Sequence, residues 1–418
     1  MIKLRLISPI LLVLAAVGTS SLCGINPPTT DQPPYDLGDG PSSIITIDLN
    51  GDKRPELLVI NRHINTVSVL LNNGNGSFAL KSRYATGLAP SSLAAGDFNR
   101  DGKSDIVVTN SGSNTVSVFL GNGRGVLTRG KDCQTGAVPC SVAVGNLNRD
   151  TIPDLVVVNR YGASVSILLG KGDGTFFFKT DYAAGSLPYA AALTDVDRDG
   201  KQDLLLTSCF DHIVSMLPGN GDGTFRTKMR YATAKRSCGV LIGNLTADVA
   251  PSVVEPHRYG YLVSIQLVND DGSPKTRREL LSGKGPRGVI AADLNGDGSS
   301  DLVVANAGHK PGESGSVFVF LGRGTGAFEA RTSYITGNAS YSVTAGDLNG
   351  DGKIDIAVLN GSYDFGGSVS VLFGKGDGTF GGRTDYATGG YLIWVSFGDD
   401  VKNASEQAES IGEKRPQW

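Results

Sequence analysis

Apolar residues in this chain come in short bursts of two kinds, and the two kinds alternate along its length. Some are continuous, such as Ile106–Thr109 and Leu155–Val158, each bounded by turn-forming residues. Runs this short predict strands covered on both faces. Others alternate between apolar and polar, as in Thr115–Leu120 and Ser164–Leu169, which is the period of a strand with two unlike faces. Ahead of each continuous run lies a strand of small residues, for example Ser92–Gly96. Behind each alternating run lies a glycine hairpin, GKGDGTF from Gly170 or GNGDGTF from Gly219, and then a fourth strand. Asp-Gly between strand-like segments is a strong hairpin signal. No helical stretch of any length interrupts the pattern.

A polar loop joins the first strand of each unit to the second, and it fixes the period. The clearest copy, DFNRDGKSD, runs from Asp97 to Asp105, and related loops start at Asp48, Asn146, Asp195, Asn244, Asp293 and Asp347. Successive starts differ by 49 residues five times and then by 54. A fixed period of this size means a solenoid, propeller or array. Seven units of four strands predict an all-β, seven-bladed β-propeller of four-stranded blades. Tyr35, Tyr84, Tyr182, Tyr231, Tyr334 and Tyr386 precede a loop start, or its degenerate equivalent Asp399, by 13 residues. Phe78, Phe176 and Phe225 follow one by 30 residues, as do Phe328 and Phe380 once later insertions are subtracted. Aromatics at such regular phase predict packing between blades.

Within the loops, oxygen-bearing side chains stand at positions 1, 3, 5 and 9 around a glycine at position 6. Short carboxylates on alternate residues can converge on one point, and carboxylates crowded this way repel one another unless a cation sits among them. Oxygen-only, flexible ligand sets favour calcium. Four copies keep the whole pattern: Asp97, Asn99, Asp101 and Asp105; Asp195, Asp197, Asp199 and Asp203; Asp293, Asn295, Asp297 and Asp301; and Asp347, Asn349, Asp351 and Asp355. The backbone carbonyls of Lys103, Lys201, Ser299 and Lys353 at position 7 are further candidate ligands. About four structural calcium ions are therefore expected. Asn146, Asn148, Asp150 and Asp154 form a weaker site, with Thr151 in place of the glycine. Asp48, Asn50, Asp52 and Glu56 are doubtful, with Lys53 at that place, and Asn244, Thr246, Asp248 and Ser252 keep a single carboxylate. An EF-hand would need a glutamate at position 12, where the opening loop has Val108 inside a strand.

The loop pattern together with the GDGTF hairpin resembles FG-GAP-type (VCBS-type) repeats, and the chain is similar to the N-terminal propeller of integrin α chains and to some fungal propeller lectins. The resemblance covers about residues 35–398. It implies a propeller fold and leaves activity open, since the fold hosts many functions.

Blade geometry puts the 1-2 loop and the 3-4 hairpin on one face, and the 2-3 loop and the 4-1 connection on the other. Length varies on that second face: the sixth unit's surplus falls between Asn306 and Ser316, the seventh's between Asn360 and Ser368. Insertions confined to one face mark a binding face. All four histidines, His63, His212, His257 and His309, map to these 2-3 loops, with Arg62, Arg160, Arg258, Tyr161, Tyr259, Tyr261, Tyr363, Phe210 and Phe365. Such a ring suits a glycan or peptide ligand. No Ser-His-Asp order, P-loop or metalloprotease motif is present. The expected function is a calcium-stiffened binding or adhesion module for a protein or carbohydrate; the alternatives are a lyase or hydrolase acting on a glycan, and a scaffold unit of a larger surface protein. Cys209 with Cys238, and Cys133 with Cys140, are candidate disulfides.

Composition changes this picture little. A net charge of −3 offers no basic footprint for nucleic acid, and 57 glycines without a three-residue period fit many tight turns. Residues 1–22 read as a signal peptide: Lys3 and Arg5 precede an apolar run from Leu6 to about Val17 and then small residues. That run is short for a membrane span. Export, to the medium or the cell surface, is expected. Cys23 would be the point of any lipid attachment, residues 23–34 read as a linker, and residues 399–418 as a polar tail.

Overall fold

A computed structural model describes residues 41–388, apart from 178, 209–212, 227–228, 233–240, 244, 246–251, 270–272, 310–312 and 362–366. Seven antiparallel sheets follow one another along the chain, each with its strands in the order first, second, third, fourth. The first strands contact one another around a ring, so they surround the central axis. This is a seven-bladed propeller. In blade 2 the outer strand is split into Leu127–Arg129 and Cys133–Gln134, both paired with the third strand Thr115–Gly121. The expected signal peptide, linker and polar tail lie outside the described residues, as do Cys209, Cys238, Phe210, His212, Tyr363 and Phe365.

Second strands carry the core. In Asp105–Asn110, Asp154–Asn159, Asp203–Ser208, Asp301–Asn306 and Asp355–Asn360 every residue is buried, because each strand is sandwiched between the adjoining blades. Each buried Val, Leu or Ile contributes roughly 1.5–3 kcal/mol. The periodic aromatics pack between blades as expected. Tyr182 meets Phe225 edge-on at 5.6 Å between centroids, and Tyr334 meets Phe380 at 5.5 Å. Their hydroxyls are satisfied across the blade boundary too: Tyr84 Oη accepts from Leu127 N at 3.0 Å, and Tyr334 Oη from Phe380 N at 2.9 Å.

The ring closes by side chains. Blade 7 is made of Ser340–Gly346, Asp355–Asn360, Gly367–Gly374 and Phe380–Thr388, without a strand from blade 1. Across the seam Phe78 meets Tyr386 edge-on at 5.7 Å, Tyr386 donates to Gly76 O, and Thr46 Oγ1 lies 3.0 Å from Thr344 Oγ1. One apolar cluster joins Ile44, Leu57 and Val59 to Leu348, Leu359 and Val371.

Candidate functional sites on two faces

On the first face, each described 1-2 loop is folded by its own side chains. In blade 6, Asp293 Oδ1 accepts from Gly296 N at 2.8 Å and Oδ2 from Gly298 N at 2.9 Å; Asn295 Oδ1 accepts from Asp297 N, and Asp297 Oδ1 from Ser299 N. Blade 7 repeats this with Asp347, Asn349 and Asp351. Position 6 takes a left-handed backbone, with φ of 77° at Gly102. Lys53 and Thr151, which replace that glycine, keep the conformation at φ of 67° and 68°. The loop fold therefore survives where the sequence pattern is eroded, at a cost of about 1–2 kcal/mol per left-handed non-glycine residue.

The ninth-position acid has a role that spacing did not reveal. Asp105 is wholly buried; Oδ2 accepts from Phe98 N at 2.9 Å and Oδ1 from Gly121 N at 2.7 Å. Asp154, Asp203, Asp301 and Asp355 make the same pair of bonds, to Leu147 and Gly170, Val196 and Gly219, Leu294 and Gly322, and Leu348 and Gly374. Each carboxylate clamps the 1-2 loop to the start of its own 3-4 hairpin. The hairpin tip in turn reaches the preceding blade: Gly174 N donates to Phe98 O and Gly223 N to Leu147 O, both at 2.9 Å. Burial raises all five carboxyls above the ordinary aspartate range, Asp154 to about 6. Burial likewise lifts Glu56, the ninth residue of the first loop, to about 7. Apart from Asp203 Oδ2, which also accepts from Asp197 N at 3.4 Å, each aspartate oxygen retains a second lone pair for a cation.

Convergence differs between the loops. In blade 4, Asp195, Asp197 and Asp203 bring one carboxylate oxygen each within 4.8 Å of one another, the one such group of acids, histidines or cysteines among the described residues. Asp195 Oδ1 is buried there without a hydrogen-bond partner. A buried carboxylate oxygen lacking a donor is costly, and a hard cation is the partner this oxygen-only set fits. Asn146 Oδ1, the first residue of the weaker blade 3 loop, is buried in the same way. In blades 2, 6 and 7 the first, fifth and ninth acids do not approach so closely. Position 3 there is Asn99, Asn295 or Asn349; in blade 6 Asn295 Nδ2 donates to Asp297 at 2.9 Å, so its amide would have to turn over to offer oxygen. Lysine ammonium groups sit on the fifth acid at Asp101 (3.0 Å), Asp199 (2.6 Å) and Asp351 (3.5 Å), and Arg226 bridges Asp197 and Asp199.

The second face is built from other chemistry. Tyr161, Tyr259 and Tyr261 stand in 2-3 loops with 53%, 52% and 47% of their surface exposed. Arg258 lies over the Tyr259 ring at 5.1 Å, and Tyr261 meets His309 edge-on at 5.1 Å. His257 belongs to the framework instead. In other blades Asn110, Asn159 and Asn360 end the second strand and donate to Ser117, Ser166 and Ser370 at 2.8–2.9 Å. His257 takes that place in blade 5, 2.8 Å from Ser264 Oγ, which also accepts from Arg277. Burial first, and the Arg277 charge second, lower its pKa. The expected bridge between Cys133 and Cys140 is corrected: both are free thiols. Cys133 lies on the outermost strand of blade 2. Cys140 lies on the innermost strand of blade 3, with its thiol directed at Tyr189 O, 3.2 Å away, so the radial width of a blade separates them.

Comparison with known proteins fits these repeats. The model of the FG-GAP-like repeat matches residues 48–108, 97–157, 146–206 and 293–358, more than half of the chain. The chain belongs to the FG-GAP repeat family. The unmatched stretch between the third and fourth FG-GAP matches includes the 1-2 loop of blade 5, the one with a single acid. No curated protein matches the chain. Among solved structures, a candidate 6-phosphogluconolactonase from Bacteroides fragilis is 16% identical, with a TM-score of 0.59 over 88% of this chain and 98% of that one. An Agrocybe aegerita lectin that recognises non-reducing terminal N-acetylglucosamine is 17% identical (TM-score 0.54, 83% and 94% covered). The BBS1 N-terminal domain, solved in complex with ARL6, is 12% identical (TM-score 0.56, 78% and 92% covered). At these identities the likeness is one of fold. Among the described residues no helix is long and apolar enough to cross a membrane.

Proposed function

We propose that this FG-GAP protein is an exported, calcium-stiffened binding module that takes a carbohydrate or protein ligand on the face of its 2-3 loops and 4-1 connections. The observation that carries the reading is the contrast between faces. On the first, backbone hydrogen bonds hold the ninth-position acids and tie loops to hairpins; on the second, three tyrosines stand half-exposed, one of them under Arg258. Half-exposed aromatic rings with polar rims are what sugar and peptide ligands stack upon. The structural neighbours include one propeller that binds a sugar and one that binds a protein. Calcium is assigned to the blade 4 loop first, on the orphaned Asp195 oxygen, and to the loops of blades 2, 6 and 7 on their sequence. Export rests on the pattern of residues 1–22.

The test is a glycan array with parallel turnover assays on pooled polysaccharides. Saturable binding without turnover, lost in Tyr161→Ala/Tyr259→Ala, is the expected result. Binding that survives that double variant would remove the second face from the reading, and turnover abolished by His309→Ala would make the protein an enzyme.

A further inference from the structure

The end of the central axis on the second face is lined unevenly. Near that end the second residues of the described innermost strands are Ser42 and Ser91 in blades 1 and 2, Cys140 in blade 3, Tyr189 in blade 4, Arg287 in blade 6 and Tyr341 in blade 7; Ser42, Ser91 and Cys140 turn onto the backbone of the next blade's innermost strand. The positions of blades 4, 6 and 7 are therefore cationic or aromatic, and those of blades 1, 2 and 3 are small and neutral. Arg160 and Arg258 add further cations from the ends of the second strands of blades 3 and 5. Arg160 is buried and lies 5.5 Å over the Tyr189 ring; Arg287 lies 4.9 Å over the Tyr341 ring.

Gly285, two residues before Arg287, packs against the Arg258 carbonyl and donates to Gly260 O, and the charges of Arg160, Arg258 and Arg287 all bear on buried Tyr189, so three cations from three blades share one locality. The neighbouring Cys140 thiol is buried and pushed up to about 12, so it stays neutral and brings no compensating charge. With a net charge of −3, the chain is not generally basic, and this local concentration of arginine is not a by-product of composition. Stacking on tyrosine fixes the planes of the guanidinium groups, which suits them to two-pronged recognition of a planar or tetrahedral oxyanion.

We propose that this rim is a site for the acidic groups of a polysaccharide, a uronate carboxylate or a sulfate ester held by Arg160, Arg258 and Arg287, with flanking sugar rings on Tyr161 and Tyr259. The inference rests on the binding-module reading and narrows its ligand. The exposed tyrosine faces favour a glycan over an acidic peptide, because flat rings match the faces of pyranoses and a flexible carboxylate chain gains little from them.

The test uses titration calorimetry of the whole protein with polygalacturonate, dextran sulfate, neutral dextran and poly-L-glutamate. Expected are binding of one or both acidic glycans, which says whether carboxylate or sulfate is preferred, no binding of neutral dextran, and a loss of about tenfold in affinity for each of Arg258→Gln and Arg287→Gln. Arg323→Gln, the same charge change on the first face, should leave binding unchanged, and the thermal midpoint of each variant checks folding. No binding of either acidic glycan overturns the proposal, as does equal, arginine-dependent binding of poly-L-glutamate. Loss of affinity equal to that of Arg323→Gln would reduce the effect to net charge and also overturns it. Binding of neutral glycans that depends on Tyr259 and not on Arg258 rejects the acidic site while leaving the binding module intact.

Discussion

The two faces of this propeller use charge in opposite ways. On the first, carboxylates turn inward and are held by backbone N–H groups: Asp355 is wholly buried and accepts from Leu348 N and Gly374 N. On the second, guanidinium groups lie against tyrosine rings at 4.9–5.5 Å. Buried acids with fixed donors make a rigid loop. Cations spread over aromatic faces make a surface that can still exchange partners. One face is spent on holding blades together, and the proposed recognition falls to the other.

The contrast is open to measurement. Asp355→Ala would strand two buried N–H groups that now bond to a charged acceptor, each such bond contributing about 1.5–3 kcal/mol. A loss of about 3–5 kcal/mol in urea unfolding is expected, and it should persist in chelator; a loss that vanishes without calcium would make Asp355 purely a ligand. Each bound calcium should stabilise the protein by about 2.7 kcal/mol at a hundredfold excess over its dissociation constant, and Asp195→Asn should remove the increment of the blade 4 site. An unchanged thermal midpoint with and without chelator would defeat the metal assignment.

Next in size comes pH. Glu56 is lifted from 4.5 to about 7 and Asp154 from 3.8 to about 6, so folding favours their protonated forms. Their contribution is fully present below the unfolded values and is lost as pH rises through the folded ones. In chelator, therefore, the thermal midpoint should fall between about pH 4.5 and pH 7, and a flat or rising profile would contradict the burial of these groups. Thr151→Gly should stabilise by about 1 kcal/mol, because a β-branched residue now holds φ of 68°. The smallest stability effect belongs to the second face. Tyr161→Ala with Tyr259→Ala should shift stability by no more than about 0.5 kcal/mol while abolishing ligand binding.

Much of the fold was legible in the chain because repeats amplify weak signals. One continuous apolar run is ambiguous, but seven at a fixed phase predict blades, and the tyrosine and phenylalanine columns announced their own contacts. The candidate metal site was legible as spacing. Spacing could not show that the ninth acid is clamped by Phe98 N and Gly121 N, since those partners come from backbone 7 and 16 residues away. Nor could it show that, among the described residues, only the blade 4 acids converge. His257 looked like a loop histidine because its equivalence to Asn110 and Asn159 is visible only once the strands are paired. Tyr189, Arg287 and Tyr341 were passed over: they occupy one variable column beside a strand's first residue, and the column acquires meaning only when the innermost strands are seen to face a common axis.

The seam between blades 7 and 1 has a consequence for how this gene could be rearranged. Its contacts, Phe78 on Tyr386 and Thr46 beside Thr344, are of the same kind as those at the internal boundaries, where Tyr334 meets Phe380. Among the described residues no strand is shared across it, so the seven blades have no privileged starting point. Joining Thr388 to Pro41 by a four-residue link like residues 86–89, and reopening the chain between Ala85 and Pro90, would yield a circular permutant with the same seven blades and every hydrogen bond of the old seam now made within a continuous chain.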